Sequence, residues 1–118
     1  MNYLHNSLKK ELYYFLSKTN RLNKWFVFNR LVGRAYFKRG KKFVGPYKAG
    51  EAGQSDLYIM GCGRCIEVEL KGTGDKLSHA QKNWQKFCLK NNIPHVIIWQ
   101  KLCDHKFDAL DKILKKYE

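Results

Sequence analysis

A mixed α/β fold, with a central mixed β-sheet flanked by helices, is the architecture this sequence predicts, and three observations predict it. Apolar residues recur at helical spacing near both ends, Leu4, Leu8, Leu12, Phe15 and Leu16 at one and Phe107, Leu110, Ile113 and Leu114 at the other. Between them, Ile66-Glu67-Val68-Glu69-Leu70-Lys71 alternates apolar and charged residues with the period of a strand. A third helical stretch separates two strand-like runs, giving the order helix, strands, helix, strand, helix. At 118 residues, with no internal repeat, the chain is expected to form one domain over 1–118.

The first helix is expected from about Asn6 to Ser17. At about 100° per residue, Glu11 falls at the margin of its apolar stripe, where it either points along the core edge into a site or is a solvated acid paired with a neighbour such as Lys18. Lys24 to Val44 mixes aromatic, aliphatic and basic residues, which suits one or two strands turning near Gly33 or Arg39-Gly40-Lys41 and opening the sheet. Pro46 to Gly53 has loop composition. Asp56 to Met60 then reads as a short strand, Gly61-Cys62-Gly63 as a tight turn, and Cys65 to Lys71 as its hairpin partner. Ser78 with Gln81 three residues on forms a capping box for a helix to about Asn92, with Ala80, Trp84, Phe87 and Cys88 on one face. Ile93-Pro94 ends it. His95-Val96-Ile97-Ile98-Trp99 has the continuous apolar character of a strand buried on both sides, and a last helix runs from about Lys106 to Tyr117.

The net charge of +13 is unevenly placed: from Leu12 to Gly50 there are ten lysines and arginines and no acid. Such clustering gains free energy by releasing counterions from a phosphate backbone, so a nucleic acid is the expected partner. The candidate phosphate contacts are Lys24, Arg30, Arg34, Lys38, Arg39, Lys41, Lys42 and Lys48. No apolar run reaches the roughly 20 residues that span a bilayer, the basic stretch is too broken for an amphipathic membrane helix, and no membrane partner is expected. The N-terminus lacks a basic start and a small-residue cleavage site, so a cytoplasmic location is expected, in a bacterial or phage-infected cell. Cys62-Gly63-Arg64-Cys65 has the spacing of a zinc knuckle, but no second pair closes it; the cysteines read as free thiols, Cys88 as a core residue, and no zinc is expected.

Against this basic background the acids need a reason. A strand over Ile66 to Lys71 would bury Ile66, Val68 and Leu70 and project Glu67, Glu69 and Lys71 from the opposite face. An acid from the neighbouring strand, Asp56, together with Glu69 could hold a hard divalent cation through oxygen, and Lys71, facing the same way, could reach a water or a phosphate beside it. Glu67 shares that facing and is either a rival ligand or the ion-pair partner of a basic side chain. Gln81 either serves only the helix cap or orients Lys71 and substrate.

Asp56, then Glu69-Leu70-Lys71 thirteen residues later across a turn, resembles the PD-(D/E)XK nuclease superfamily with its restriction-endonuclease-like core. More narrowly, GEAGQSDLYIM…CIEVELKGTGDKLSHAQKNWQKFC resembles the virus-type replication-repair nuclease (VRR-NUC) family, stand-alone type. That family shows a Pro-Asp-Leu segment, a strand ending in Glu-x-Lys and a Ser-x-x-Gln opening the next helix; here Ser55 replaces the proline. Glu11 and Phe28-Asn29-Arg30 extend the likeness upstream. The resemblance implies a metal-dependent endodeoxyribonuclease of DNA repair in which Asp56, Glu69 and the Leu70 carbonyl bind Mg²⁺ or Mn²⁺, Glu11 holds a second ion or a water, and Lys71 positions the attacking water. It further implies a homodimer cutting branched DNA such as four-way (Holliday) junctions. The competing readings are a non-catalytic nucleic-acid-binding module and an interaction subunit of a replication or repair complex. Asp56, Glu69 and Lys71, all intact, argue against the first, because acids are a liability in a groove that only binds phosphate. A core strand explains Trp25 to Phe28 more simply than a docking surface.

Overall fold

The computed structural model describes residues 3–30, 33–39, 42–49 and 54–118. Along the chain these form α1 (Tyr3–Lys18), β1 (Trp25–Asn29), β2 (Gly33–Arg39), β3 (Lys42–Ala49), β4 (Leu57–Gly61), β5 (Arg64–Lys71), α2 (His79–Lys90), β6 (His95–Trp99), a 3-10 segment (Gln100–His105) and α3 (Asp108–Tyr117). Four strands make a mixed sheet in the order β1-β4-β5-β6, with β5 and β6 parallel and the other pairs antiparallel. The expected α/β architecture is what the chain adopts.

Register sorts the side chains between two faces. Trp25, Leu57, Ile59, Ile66, Val68, Leu70, Val96 and Ile98 meet Leu8, Leu12, Phe15 and Leu16 of α1 and Leu110 and Leu114 of α3 in one buried cluster. The apolar stripes predicted at the two ends of the chain are the two helices that close this face. The opposite face carries Phe26, Phe28, Tyr58, Met60, Glu67, Glu69 and Lys71, and α2 lies across the Glu67–Lys71 end of it. Cys88 of α2 is buried, as expected of a small core residue.

Two turns depend on particular residues. Cys62 and Gly63, both at positive φ (48° and 74°), make the two-residue turn between β4 and β5, a twist that matches that of antiparallel strands. Gly61 pairs with Trp25, and a Cβ there would stand 2.1 Å from the Lys24 carbonyl oxygen and 2.8 Å from the indole, so only glycine lets β4 approach β1 this closely.

Four expectations are corrected. The strand β3 runs through Pro46 to Ala49, where the composition predicts a loop; a register irregularity opposite Ala35 to Phe37 places one more residue on β3 than on β2, and a proline, having no N–H, is tolerated at such a bulge. The hairpin β2–β3 does not open the main sheet but pairs by itself, leaving β1 to do so. The strand β6 is an edge strand, and only Val96 and Ile98 are buried while His95, Ile97 and Trp99 are half-buried. The last helix begins at Asp108, because Gln100–His105 coils as a 3-10 segment broken at Cys103.

Candidate active site

The charged face of β5 is not open to solvent. Glu67, Glu69 and Lys71 share the face opposite Ile66, Val68 and Leu70, as the alternation predicts, but they are only 5%, 1% and 7% exposed, because α2 covers them as α1 and α3 cover the other face. Three ionisable groups buried side by side must find partners, and each does so differently.

Glu67 is held by Arg30, whose Nη1 and Nη2 donate to Oε2 and Oε1 at 2.6 and 2.9 Å. The guanidinium rests over Tyr58 (4.7 Å) and near Trp84 (5.9 Å), and Tyr58 stacks on Phe28. Of the two alternatives for Glu67, this favours the ion pair. It also commits Arg30, expected among the phosphate contacts, to a bidentate pair beneath α2 instead of a free surface position.

Asp56 and Glu69 form the second group. Because β5 runs on past the last β4 pair, Leu57↔Val68, the Leu70 N–H has no strand partner and donates instead to Asp56 Oδ2 at 2.9 Å. In an extended strand the N–H and C=O of one residue point to the same side, so the Leu70 carbonyl opens toward Asp56 as well. The Asp56 backbone oxygen accepts from Arg30 N at 3.0 Å, and neighbouring Ser55, fully buried, accepts at Oγ from Trp84 Nε1 at 3.0 Å. Serine where the family has proline thus ties the entry of β4 to α2. The sequence reading missed Trp84 as a holder of the site; its only signal was an indole N–H on the helix that the capping box starts.

Burial, then the facing carboxyl of Asp56, pushes the Glu69 carboxyl up from 4.5 to about 9, with Lys71 opposing. Its Oε2 is buried with no hydrogen-bond partner. Two carboxyl groups in contact, one with an orphaned oxygen, want either a shared proton or a cation between them. The donors at hand, Asp56, Glu69 and the Leu70 carbonyl, are all hard oxygens and suit Mg²⁺ or Mn²⁺.

Lys71 and Glu69 meet on one amide. Gln81 Oε1 accepts from Lys71 Nζ at 2.8 Å and from Ser78 N at 2.8 Å, and Gln81 Nε2 donates to Glu69 Oε1 at 3.0 Å. Ser78 Oγ returns the bond from Gln81 N at 3.1 Å. The capping box and the contact to the site are therefore the same residue, and the N-terminus of α2 is what holds Glu69 and Lys71 in place.

Glu11 is engaged elsewhere. Its Oε1 accepts from Lys106 Nζ at 2.7 Å, and the Gln100 amide, with its nitrogen toward Glu11 Oε2 (3.2 Å) and its oxygen toward Lys106 (3.3 Å), completes the arrangement. Among the described residues no three His, Cys, Asp or Glu side chains cluster as a metal site, so Glu11 is not drawn to Asp56 and Glu69 here. Lys24 is exposed, whereas Arg34, Lys38, Arg39, Lys42 and Lys48 lie on β2 and β3, with Arg34 opposite Lys48 and Arg39 opposite Lys42. Lys41 lies outside the described residues, as does Gly53 of the motif. No helix among the described residues is long and apolar enough to cross a membrane.

Comparison with curated proteins and with solved structures finds no match to this chain. The family model of the VRR-NUC domain, in contrast, matches residues 19–99, more than two thirds of the sequence. The matched stretch runs from the end of α1 through β6 and contains Asp56, Glu69, Leu70, Lys71 and Gln81, but not Glu11 or α3. With that match spanning the sheet and α2, the chain belongs to the VRR-NUC family of nuclease domains.

Proposed function

We propose that this nuclease is a divalent-metal-dependent endonuclease of DNA, formed by one domain over 1–118 and acting in the cytoplasm as a homodimer on branched DNA such as four-way junctions. The observation that carries metal dependence is the buried pair Asp56 and Glu69, with Glu69 Oε2 left without a donor. Asp56, Glu69 and the Leu70 carbonyl would hold Mg²⁺ or Mn²⁺, which when bound supplies a Lewis acid where charge accumulates on the phosphate. Lys71, one of whose three N–H donors is used by Gln81, offers the others to the attacking water and to the developing negative charge. Gln81 keeps Lys71 and Glu69 in register. Glu11 would contribute a second ion only if Lys106 released it.

DNA as substrate is supported by the charge of +13 and by the hairpin, whose backbone register sets Arg34 opposite Lys48 and Arg39 opposite Lys42, like charges that a phosphate backbone would offset. For the dimer, the support is the uncovered apolar end of the sheet: Phe26, Phe28 and Met60 are 66%, 41% and 45% exposed. Two symmetric sites would match the two cuts that resolve a four-way junction. The test is light scattering of the free protein and of its Ca²⁺-supported junction complex, with competition by linear duplex. Two protomers per junction and a preference for the junction are expected; one protomer with no preference refutes the branched-DNA reading.

A further inference from the structure

A cavity lies on the α1 side of the sheet, bordered by the segment that follows β6. The parallel strands β5 and β6 end together, with Lys71 opposite Trp99, and Gln100 then leads directly into the segment that borders this cavity. Residues Glu11, Tyr14, Phe15 and Lys18 line it from one face of α1, and Cys103, Asp104, Lys106 and Phe107 from the other side, around a volume of about 280 Å³. That is near the lower bound of ordinary ligand sites, room for one planar ring system and no more.

The lining is specific in three ways. Phe15 and Phe107 stack at 4.8 Å and form an apolar floor, while Tyr14, 69% exposed, stands at the rim with Lys18 over its ring at 5.6 Å. Packing does not account for an aromatic this exposed on the helix that closes the core. Second, the charges balance: Lys18 and Lys106 share the lining with Glu11 and Asp104, which disfavours a phosphate inside but suits a neutral ring carrying both amino donors and carbonyl acceptors. Third, Lys106 is about nine-tenths buried and spends two N–H donors on Glu11 and Gln100; among the described residues, no partner takes its third.

We propose that this cavity is a nucleobase subsite, taking one unstacked base of the strand being cut against Tyr14, with Lys106 and the acids at its edge. The proposal rests on the nuclease reading above. It gives the enzyme a physical reason to prefer branch points, where strands exchange partners and the pairs that flank the crossing open most easily.

The experiment uses the full chain with Ca²⁺ in place of Mg²⁺ and a fluorescent four-way junction in which an abasic site is stepped through the strand near the cut. For the native protein one abasic position should weaken binding about 5- to 20-fold while its neighbours do not, in line with stacking on a protein aromatic. Tyr14→Ala should lose a similar factor on the intact junction and become indifferent to that abasic position; Tyr14→Trp should restore both. Because Tyr14 is exposed, the fold is expected to tolerate these changes, and unchanged thermal melting checks it. An abasic scan that is flat for the native protein, or Tyr14→Ala binding as the native protein does, overturns the subsite. If the native protein cleaves the junction in Mg²⁺ in either case, only the subsite falls; if it neither binds nor cleaves, the DNA-nuclease reading falls with it.

Discussion

Replacing Glu69 by glutamine should make the metal-free protein more stable at neutral pH, and by an amount the site geometry sets. Glu69 is 1% exposed beside Asp56, and its carboxyl is raised from 4.5 to about 9. An acid whose folded value lies above its unfolded one contributes fully below the unfolded value, and that contribution is lost as pH rises toward the folded value. At pH 7.5 the group is about three units above its unfolded value, and at ~1.4 kcal/mol per unit the native protein has lost about 4 kcal/mol relative to pH 4.5. Glutamine carries no titrating proton, fits the same space, and offers an N–H where Oε2 has no partner. Thermal and urea melts in EDTA at pH 5, 7.5 and 9 should give nearly equal stabilities at pH 5. At pH 7.5 the Glu69→Gln variant should lead by about 2–4 kcal/mol, on the order of 10 °C, with a wider gap at pH 9. Parallel pH profiles for the two proteins would refute the strained carboxyl pair and, with it, the physical case for a cation between Asp56 and Glu69.

Gln81→Ala should remove one half of the capping box, the bond from Ser78 N, at about 1 kcal/mol of stability or less, and also unfix Lys71 and Glu69, so that cleavage slows by about 10- to 100-fold in kcat with KM little changed; steady-state kinetics beside melting curves separate the two effects. Gly61→Ala should destabilise the fold by about 3 kcal/mol or more, because the added Cβ meets backbone at Lys24 that cannot rotate away; an unchanged urea midpoint would contradict the close approach of β4 to β1. Arg21, 5% exposed, donates to Asp111 and Glu118 and holds both carboxyls below their usual range. Depressed acids stabilise the fold above their unfolded values of 3.8 and 4.5 and lose that effect as pH falls below them, so urea midpoints should fall steeply in acid for the native protein and less steeply for Arg21→Ala.

What the sequence made legible was local. The Ser78–Gln81 box, the Cys62–Gly63 turn and the alternation of Ile66 to Lys71 are signals within a few residues, and each became the element it predicts. The family resemblance likewise rests on contiguous motifs, and those motifs contain Asp56, Glu69 and Lys71. Pairings between distant residues were not legible. Arg30 meets Glu67 across 37 positions and Lys106 meets Glu11 across 95, and nothing near Arg30 marks it as an internal cation instead of one more basic surface residue. Period-two alternation reports which side chains share a face, not what covers that face, which is why the burial of the charged side of β5 under α2 was not foreseen. The proline in β3 was read by composition alone, and composition does not register a bulge that absorbs it.

The most direct measurement of the central claim is cleavage of a labelled four-way junction by purified protein in Mg²⁺, in Mn²⁺ and in EDTA, run in parallel with Asp56→Asn and Lys71→Ala variants whose folding is checked by melting curves. Asp56 accepts from the Leu70 N–H, and Lys71 donates to Gln81, which also holds Glu69. Products are expected with either cation, none in EDTA, and none from either variant. Full activity in EDTA, or unchanged rates in the folded variants, would contradict that claim.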